Sequence, residues 1–147
     1  MPVRFLLGTW EGFGENGSRV SHNHEFVLQD KFIRSKTRSV SEPETADSMG
    51  EIHEDVGYFS FDPARNTIIF RQFLSEGFVN TYILEPSESP ADPLVFTSER
   101  CEGAGNMRAR LIIRLLSDDE YKMILELASP GEPFTPCQTL RMVRVES

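Results

Sequence analysis

The sequence predicts an all-β protein, a single closed antiparallel up-and-down β-barrel of about ten strands that occupies the whole chain, residues 1–147. Three observations lead to this fold. Short runs rich in β-branched and aromatic residues follow one another at even spacing, with turn residues between them. Apolar residues at the helical spacing i, i+3, i+4, i+7 do not persist over a convincing length. Ten strands in one open sheet would expose long edges, which closure into a barrel removes.

Glycines and one tryptophan characterise the first predicted strand, residues 8–14. Gly8, Gly12 and Gly14 stand in a strand, where glycine is unfavourable unless the backbone bends, bulges or approaches another segment closely. They flank Trp10, the only tryptophan of the protein. We expect Trp10 to be a large apolar plug at one end of the closed sheet.

Three further strands complete the first half of the chain. They are delimited by turns at residues 15–17 and 29–31 and by a polar loop at residues 41–48 that contains Pro43. A turn at residues 62–66, with proline at its second position, ends this part. The predicted strands are residues 20–28, 32–40 and 50–61.

Six strands follow, most of them in hairpins. Short turns at residues 75–77, 103–105 and 117–120 join consecutive strands, so neighbours in sequence should be antiparallel neighbours in the sheet. Two longer loops that contain proline cover residues 86–93 and 129–136. The predicted strands are residues 67–74, 78–85, 94–102, 107–116, 121–128 and 137–145.

The inner faces of the predicted strands are mixed in polarity. In the second strand, one face carries His22, His24 and a phenylalanine. In the third strand, Arg34, Lys36 and Arg38 share one face, and the opposite face mixes polar and apolar residues. A tightly packed sandwich would have more apolar inner faces. A barrel with a partly polar cavity, with room for a small ligand, accounts for this pattern better. The residues opposite the basic face are Ile33, Ser35, Thr37 and Ser39.

Composition limits the functional classes. The net charge of −8 disfavours a nucleic-acid partner, and the basic stripe of the third strand is expected to be a solvated outer face. The sequence has no signal-peptide pattern and no apolar run long enough to span a membrane, so we expect a cytoplasmic protein. Cys101 and Cys137 are expected to be free thiols. We expect a monomer or a homodimer.

Three histidines are candidate cavity residues. His22 and His24 lie two residues apart on one strand face, a spacing that can chelate Zn²⁺ or Cu²⁺ if His53 or Glu25 completes the site. If the pair faces inward, it lines the cavity and can hydrogen-bond a polar ligand or act as an acid or base. The alternative is that these histidines are structural or solvated, in which case no metal site is expected.

Two arginines and one cysteine are further cavity candidates. Arg71 shares a strand face with two apolar neighbours, and Arg141 shares a face with Thr139 and Cys137. An inward arginine requires an anionic partner, whereas an outward arginine is ordinary. Cys137 has no nearby histidine in sequence to activate it, so a buried inert thiol is expected. No phosphate-binding loop, Ser-His-Asp order or zinc-finger spacing occurs, which favours a protein that is not an enzyme.

The opening motif, Gly8-Thr9-Trp10-Glu11-Gly12-Phe13-Gly14, resembles the G-x-W-x-G-x-G signature of nitrobindin-like proteins. These are small ten-stranded barrels of the calycin superfamily, which also includes fatty-acid-binding proteins and lipocalins. The segment at residues 52–59 is similar to the middle of these proteins, although its glycine lies one residue further on. The resemblance implies that Trp10 packs under Arg144 to close the barrel and that an inward arginine of the last strand, here Arg141, holds a carboxylate.

The resemblance also implies a cofactor. Nitrobindins hold ferric haem through one histidine near the C-terminus and isomerise peroxynitrite. The corresponding stretch is residues 137–144, in which Arg144 matches the family's arginine and Cys137 takes the ligand position. No histidine follows His53 in this chain. A haem ligand would therefore be the thiolate of Cys137 or an inward histidine.

Three functions remain open on the sequence. The first is non-enzymatic binding of a small apolar or amphipathic molecule in the barrel cavity. The second is a haem protein that acts on nitrogen oxides or peroxynitrite with a substituted axial ligand. The third is an interaction protein that uses the outer surface of the barrel.

Overall fold

The computed structural model describes residues 2–14, 17–41 and 50–146. Glu15, Asn16 and most of the predicted loop at residues 41–48, including Pro43, lie outside the described residues. Within them the chain forms ten strands and one short 3₁₀ helix, so the predicted all-β class is confirmed. The strands are β1 (Gly8–Gly14), β2 (Arg19–Val27), β3 (Phe32–Val40), β4 (Ile52–Asp62), β5 (Thr67–Leu74), β6 (Val79–Leu84), β7 (Leu94–Glu102), β8 (Arg108–Ser117), β9 (Glu120–Ala128) and β10 (Thr135–Glu146).

The ten strands form a closed barrel. Each strand pairs antiparallel with its neighbours in sequence, and β1 also pairs with β10, so the sheet has no open edge. This is the predicted up-and-down topology. The described residues contain no helix that is long and apolar enough to cross a membrane.

Two glycines of β1, Gly8 and Gly12, serve the purposes that the sequence indicated. Gly8 has a φ of +118°, which disfavours residues with a side chain, and the pairing with β10 is irregular between Thr9 and Trp10. A Cβ atom on Gly12 would lie 2.2 Å from the carbonyl oxygen of Arg141. The backbones of β1 and β10 therefore approach each other closely at Gly12, and the barrel closes there.

One end of the barrel is sealed by a 3₁₀ helix, Arg4–Leu6, that the sequence did not predict. Val3 and Leu6 of this segment are buried. Trp10 has no exposed surface, and its indole Nε1 donates a hydrogen bond to the carbonyl of Leu6 at 2.7 Å. The ring of Tyr121 packs edge-on against the indole, with 4.6 Å between centroids.

Arg144 of β10 lies over Trp10. Its guanidinium carbon is 4.1 Å from the centroid of the indole. The same guanidinium donates hydrogen bonds to the carbonyls of Leu7 at 2.5 Å, Phe5 at 3.1 Å and Asp118 at 3.2 Å. Arg144 therefore ties the last strand to the N-terminal segment as well as stacking on the plug.

The core lies between this closed end and the middle of the barrel. Phe59 stacks on Phe70 with 4.2 Å between ring centroids, and Phe96 meets Phe59 edge-on at 5.6 Å. Not every phenylalanine is buried in this way. Phe13 and Phe61 are among the exposed side chains on the barrel surface.

The last strand differs from the prediction. It begins at Thr135 rather than at Cys137, and the pairing with β9 is irregular between Pro136 and Gln138. Proline lacks an N–H group to donate to the ladder and is tolerated beside such irregularities. Cys137 therefore lies at the irregularity, and its side chain is exposed rather than inward.

We predict that Trp10→Ala lowers the free energy of unfolding by roughly 3–5 kcal/mol, because it removes a fully buried aromatic plug. Chemical denaturation measures this difference. Phe13→Ala is the matched control, since Phe13 lies on the same strand and is 67% exposed. It should change stability little, and equal losses in the two variants would contradict the assignment of Trp10 as the plug.

Candidate functional site

A cavity of about 310 Å³ occupies the half of the barrel away from Trp10. Phe78, Ala104 and Met107, which lie in the connections between strands at that end, form part of its rim. A second cavity of about 50 Å³ lies deeper, towards the buried Leu6. The two share six lining residues and thus adjoin: His22, Thr37, Asp55, Gln72, Leu111 and Met123.

The larger cavity has two unlike walls. Strands β8 to β10 contribute mostly apolar side chains, whereas β3 to β6 contribute mostly polar ones. Leu74 on β5, Arg108 on β8 and Gln138 on β10 depart from this division. Such a cavity can cover one side of a molecule with hydrocarbon and hydrogen-bond the other side. The apolar wall comprises Ala109, Leu111, Met123, Leu125, Leu127 and Leu140. The polar wall comprises Thr37, Ser39, His53, Asp55, Gln72, Asn80 and Tyr82.

Asp55 is the carboxylate of the polar wall. Its side chain is only 6% exposed. Burial raises the pKa of its carboxyl group above the usual value, and the neighbouring Gln72, His53 and Thr37 act in the opposite direction. Its Oδ1 atom has no hydrogen-bond partner among the described residues. A buried acceptor without a donor is costly, so Asp55 is a candidate contact for a ligand.

His22 and His24 face the interior, as the sequence allowed. Nδ1 of His22 is hydrogen-bonded to the hydroxyl of Tyr121, and the two imidazole rings meet edge-on with 5.7 Å between centroids. Burial lowers the pKa of His22 to about 4. Burial, and secondly the proximity of His22, lower the pKa of His24 as well. Both rings are therefore neutral near pH 7.

Several nitrogens of this pair face the interior without a partner. Nε2 of His22 and both ring nitrogens of His24 make no hydrogen bond within the described residues. Both histidines line the smaller cavity, and His22 also lines the larger one. Together with Asp55 they form a group of unsatisfied polar atoms where the two cavities adjoin.

His53 lies in the wall of the larger cavity and is partly exposed. Its Nδ1 contacts the carboxylate of Glu76, and its Nε2 lies 3.6 Å from Oδ2 of Asp55. Both ring nitrogens thus face carboxylates. His53 is a partner of Asp55 rather than an isolated base.

The metal site that the sequence left open is not assembled. Among the described residues no group of three or more His, Cys, Asp or Glu side chains is placed to hold a metal ion. Glu25, considered as a third ligand, instead pairs with Arg34 on the neighbouring strand. His22 and His24 are therefore interior residues without a third ligand within this part of the chain.

Three other candidates do not line the cavity. Arg71 is exposed and donates a hydrogen bond to Ser60 at 3.3 Å. Arg141 is 69% exposed and pairs with Glu120. Cys137 is exposed at the start of β10. Of the two orientations left open for Arg71 and Arg141, the structure shows the outward one, and Cys137 is not the buried thiol that was expected. The inward positions of their strands are the intervening residues.

The structure adds cavity residues that the sequence did not single out. Asp55 and Gln72 lie on neighbouring strands, and Asn80 lies within 3.5 Å of Gln72 and 3.4 Å of the Tyr82 hydroxyl. Cys101, rather than Cys137, is the cysteine that lines the cavity. The alternation of His53 and Asp55 with outward residues on β4 was the available signal for this polar wall.

Comparisons with known proteins identify the fold. No protein-family model matches the chain, and no curated protein matches it. Among solved structures, the chain is similar to the crystal structure of Rv2717c from M. tuberculosis, with a TM-score of 0.67 and 15% sequence identity over 97% of this chain and 94% of that chain. This neighbour shares the fold of the chain, which is a closed ten-stranded antiparallel barrel.

The residues do not assemble the haem site that the nitrobindin resemblance implies. Cys137, at the aligned ligand position, is exposed and does not line either cavity. The unpartnered nitrogens of His24 face the smaller cavity, whose volume of about 50 Å³ is too small for a macrocycle. Nδ1 of His22 is occupied by Tyr121, so Nε2, which is unpartnered, is the ring nitrogen through which His22 could act as a ligand.

We predict that the protein loses stability as the pH falls from about 7 to about 5. In this range the unfolded chain protonates its histidines near pH 6.5, whereas folded His22, with a pKa of about 4, stays neutral. The free energy of unfolding should fall by about 2 kcal/mol through His22 alone, with His24 acting in the same direction. Urea denaturation at several pH values measures the slope. His22→Gln should reduce this slope, and an unchanged slope would refute the prediction.

Proposed function

We propose that this protein binds a small apolar or amphipathic molecule in the larger barrel cavity and does not act as an enzyme. The observation that carries the proposal is the two-sided cavity of about 310 Å³ at the end opposite Trp10. Its volume lies within the range of about 300–1,000 Å³ that is usual for small-molecule sites.

The apolar wall supports binding through the hydrophobic effect. Burial of ligand surface against Leu125, Leu127 and their neighbours contributes roughly 25 cal/mol per Å² of apolar area. The polar wall supports orientation, because its hydrogen-bonding groups are fixed on strands rather than on loops. An amphipathic molecule can satisfy both walls at once.

The arrangement around His53 supports binding rather than catalysis. Ser39 pairs with His53 across β3 and β4, and both line the cavity. However, the two ring nitrogens of His53 face Glu76 and Asp55, so the ring does not take the position of a base for the serine hydroxyl. Cys101, the cavity thiol, has no hydrogen-bonded base in the described part of the chain.

The alternative of a haem protein that acts on nitrogen oxides receives less support, because the aligned Cys137 is exposed. We expect a haemin titration to give no Soret band beyond that of free haemin. A distinct band that His22→Gln or His24→Gln abolishes would instead favour the haem function and contradict the proposal.

Filling the cavity should prevent binding. Leu125 lies on the apolar wall, and Leu125→Trp places an indole in the space that a ligand would occupy. We expect this substitution to weaken the binding of N-phenyl-1-naphthylamine, an uncharged apolar fluorophore, by at least about tenfold. A fluorescence titration measures the dissociation constant.

Leu116→Trp is the matched control, since it adds the same side chain at an exposed position at the end of β8. It should leave the dissociation constant unchanged. If the wild-type protein does not bind the fluorophore, or if both variants bind it as the wild type does, the cavity is not the binding site.

A further inference from the structure

The acidic group of the cavity points to the chemical class of the ligand. Asp55 is the carboxylate that lines the cavity, and within the described residues no lysine lines it. His22 is neutral through burial. Arg108 lines the rim, but its side chain is exposed and turned outwards: it donates to the carbonyl of Glu132 and lies 5.0 Å from the ring of Phe134. His53, the remaining basic side chain of the lining, already lies between the carboxylates of Glu76 and Asp55. The interior thus offers a negative group and no free positive one among these residues.

Asp55 is incompletely satisfied for a buried carboxylate. The side chains of Gln72 and Thr37 act on the carboxylate as hydrogen-bond donors, and Nε2 of His53 lies 3.6 Å from Oδ2. Oδ1, however, has no hydrogen-bond partner among the described residues. A buried carboxylate requires a charged or hydrogen-bonding partner. A cation at Oδ1 would offset the desolvation of the carboxylate, and the charge-assisted hydrogen bond is stronger than a neutral one.

We propose that the cavity binds an organic ammonium ion, with its apolar body against the β8–β10 wall and its protonated amine at Oδ1 of Asp55. The inference rests on the proposed function and specifies its ligand class. Thr37 and Gln72 line the cavity beside Asp55 and carry oxygens that can accept the remaining N–H groups of a primary amine. The amine enters first, because Asp55 lies where the larger cavity meets the smaller one.

Three probes with one apolar body test this orientation and charge. They are 2-(1-naphthyl)ethylamine, 2-(1-naphthyl)ethanol and 3-(1-naphthyl)propanoic acid, titrated by calorimetry at about pH 7.5, where an alkylamine is protonated and a carboxylic acid is ionised. We expect the amine to bind at least about tenfold more tightly than the alcohol, and the acid to bind most weakly.

Asp55→Asn removes the charge and keeps the shape of the side chain. It should abolish the preference for the amine and leave the affinity for the alcohol within about twofold. Glu11→Gln is the matched control, because it removes one negative charge at an exposed position on β1. The Glu11→Gln variant should keep the preference for the amine over the alcohol. This result would show that the preference depends on the contact with Asp55 and not on the net charge of the protein.

The outcomes distinguish this inference from the proposed function. If N-phenyl-1-naphthylamine binds but the naphthyl amine does not exceed the alcohol, the ammonium site is refuted while the binding function stands. If the acid binds most tightly of the three, the ammonium site is refuted as well, and the rim at Arg108 is indicated as the site of the head group. The order in which the wild-type protein binds the three naphthyl probes tests the ammonium site even if the Asp55→Asn variant does not fold. If no probe binds, including the neutral fluorophore, both proposals fail.

Discussion

The contact between Trp10 and Arg144 is the constraint on which the rest of the barrel depends. The guanidinium is largely removed from water, so its donors require acceptors, and it finds them in the carbonyls of Leu7, Phe5 and Asp118. One side chain thereby connects the first strand, the last strand and the N-terminal segment. The packed aromatic core lies beside this sealed end, and the unfilled volume lies at the other end. The closure of the barrel is thus asymmetric.

Much of this architecture could be predicted because the relevant signals are local. Turn residues between β-rich runs mark strand ends, and the alternation of Arg34, Lys36 and Arg38 indicates the outer face of β3. The glycines of β1 predicted a close backbone approach, and Gly12 makes one with β10. The 3₁₀ helix could not be predicted from the same signals, because a single turn has too few residues to show a periodicity.

The orientation of individual cavity residues was harder to predict, because a shift of one residue exchanges the two faces of a strand. In β5 the apolar run Ile68-Ile69-Phe70 fits either orientation, and the structure turns Phe70 inward and Arg71 outward. In β10 the regular stretch after the irregularity at Cys137 turns Leu140 and Met142 inward, which leaves Arg141 on the outer face. Asp55 was overlooked for another reason: alternation places it on the same strand face as His53, but only the assembled barrel shows that this face is the buried one.

The polar wall is the strongest reason to regard the cavity as a site rather than as imperfect packing. β4 places Phe59 inward near the sealed end, where it packs in the core, and places Asp55 inward towards the mouth. An apolar residue at position 55 would add hydrophobic burial and would avoid the free-energy cost of desolvating a carboxylate. If stability alone had shaped the barrel, an apolar residue would therefore be favoured at this position. The unpartnered nitrogens of His24 carry a cost of the same kind. Natural proteins accept such local costs mainly at functional sites, and here both costs fall on residues that line the same pair of adjoining cavities.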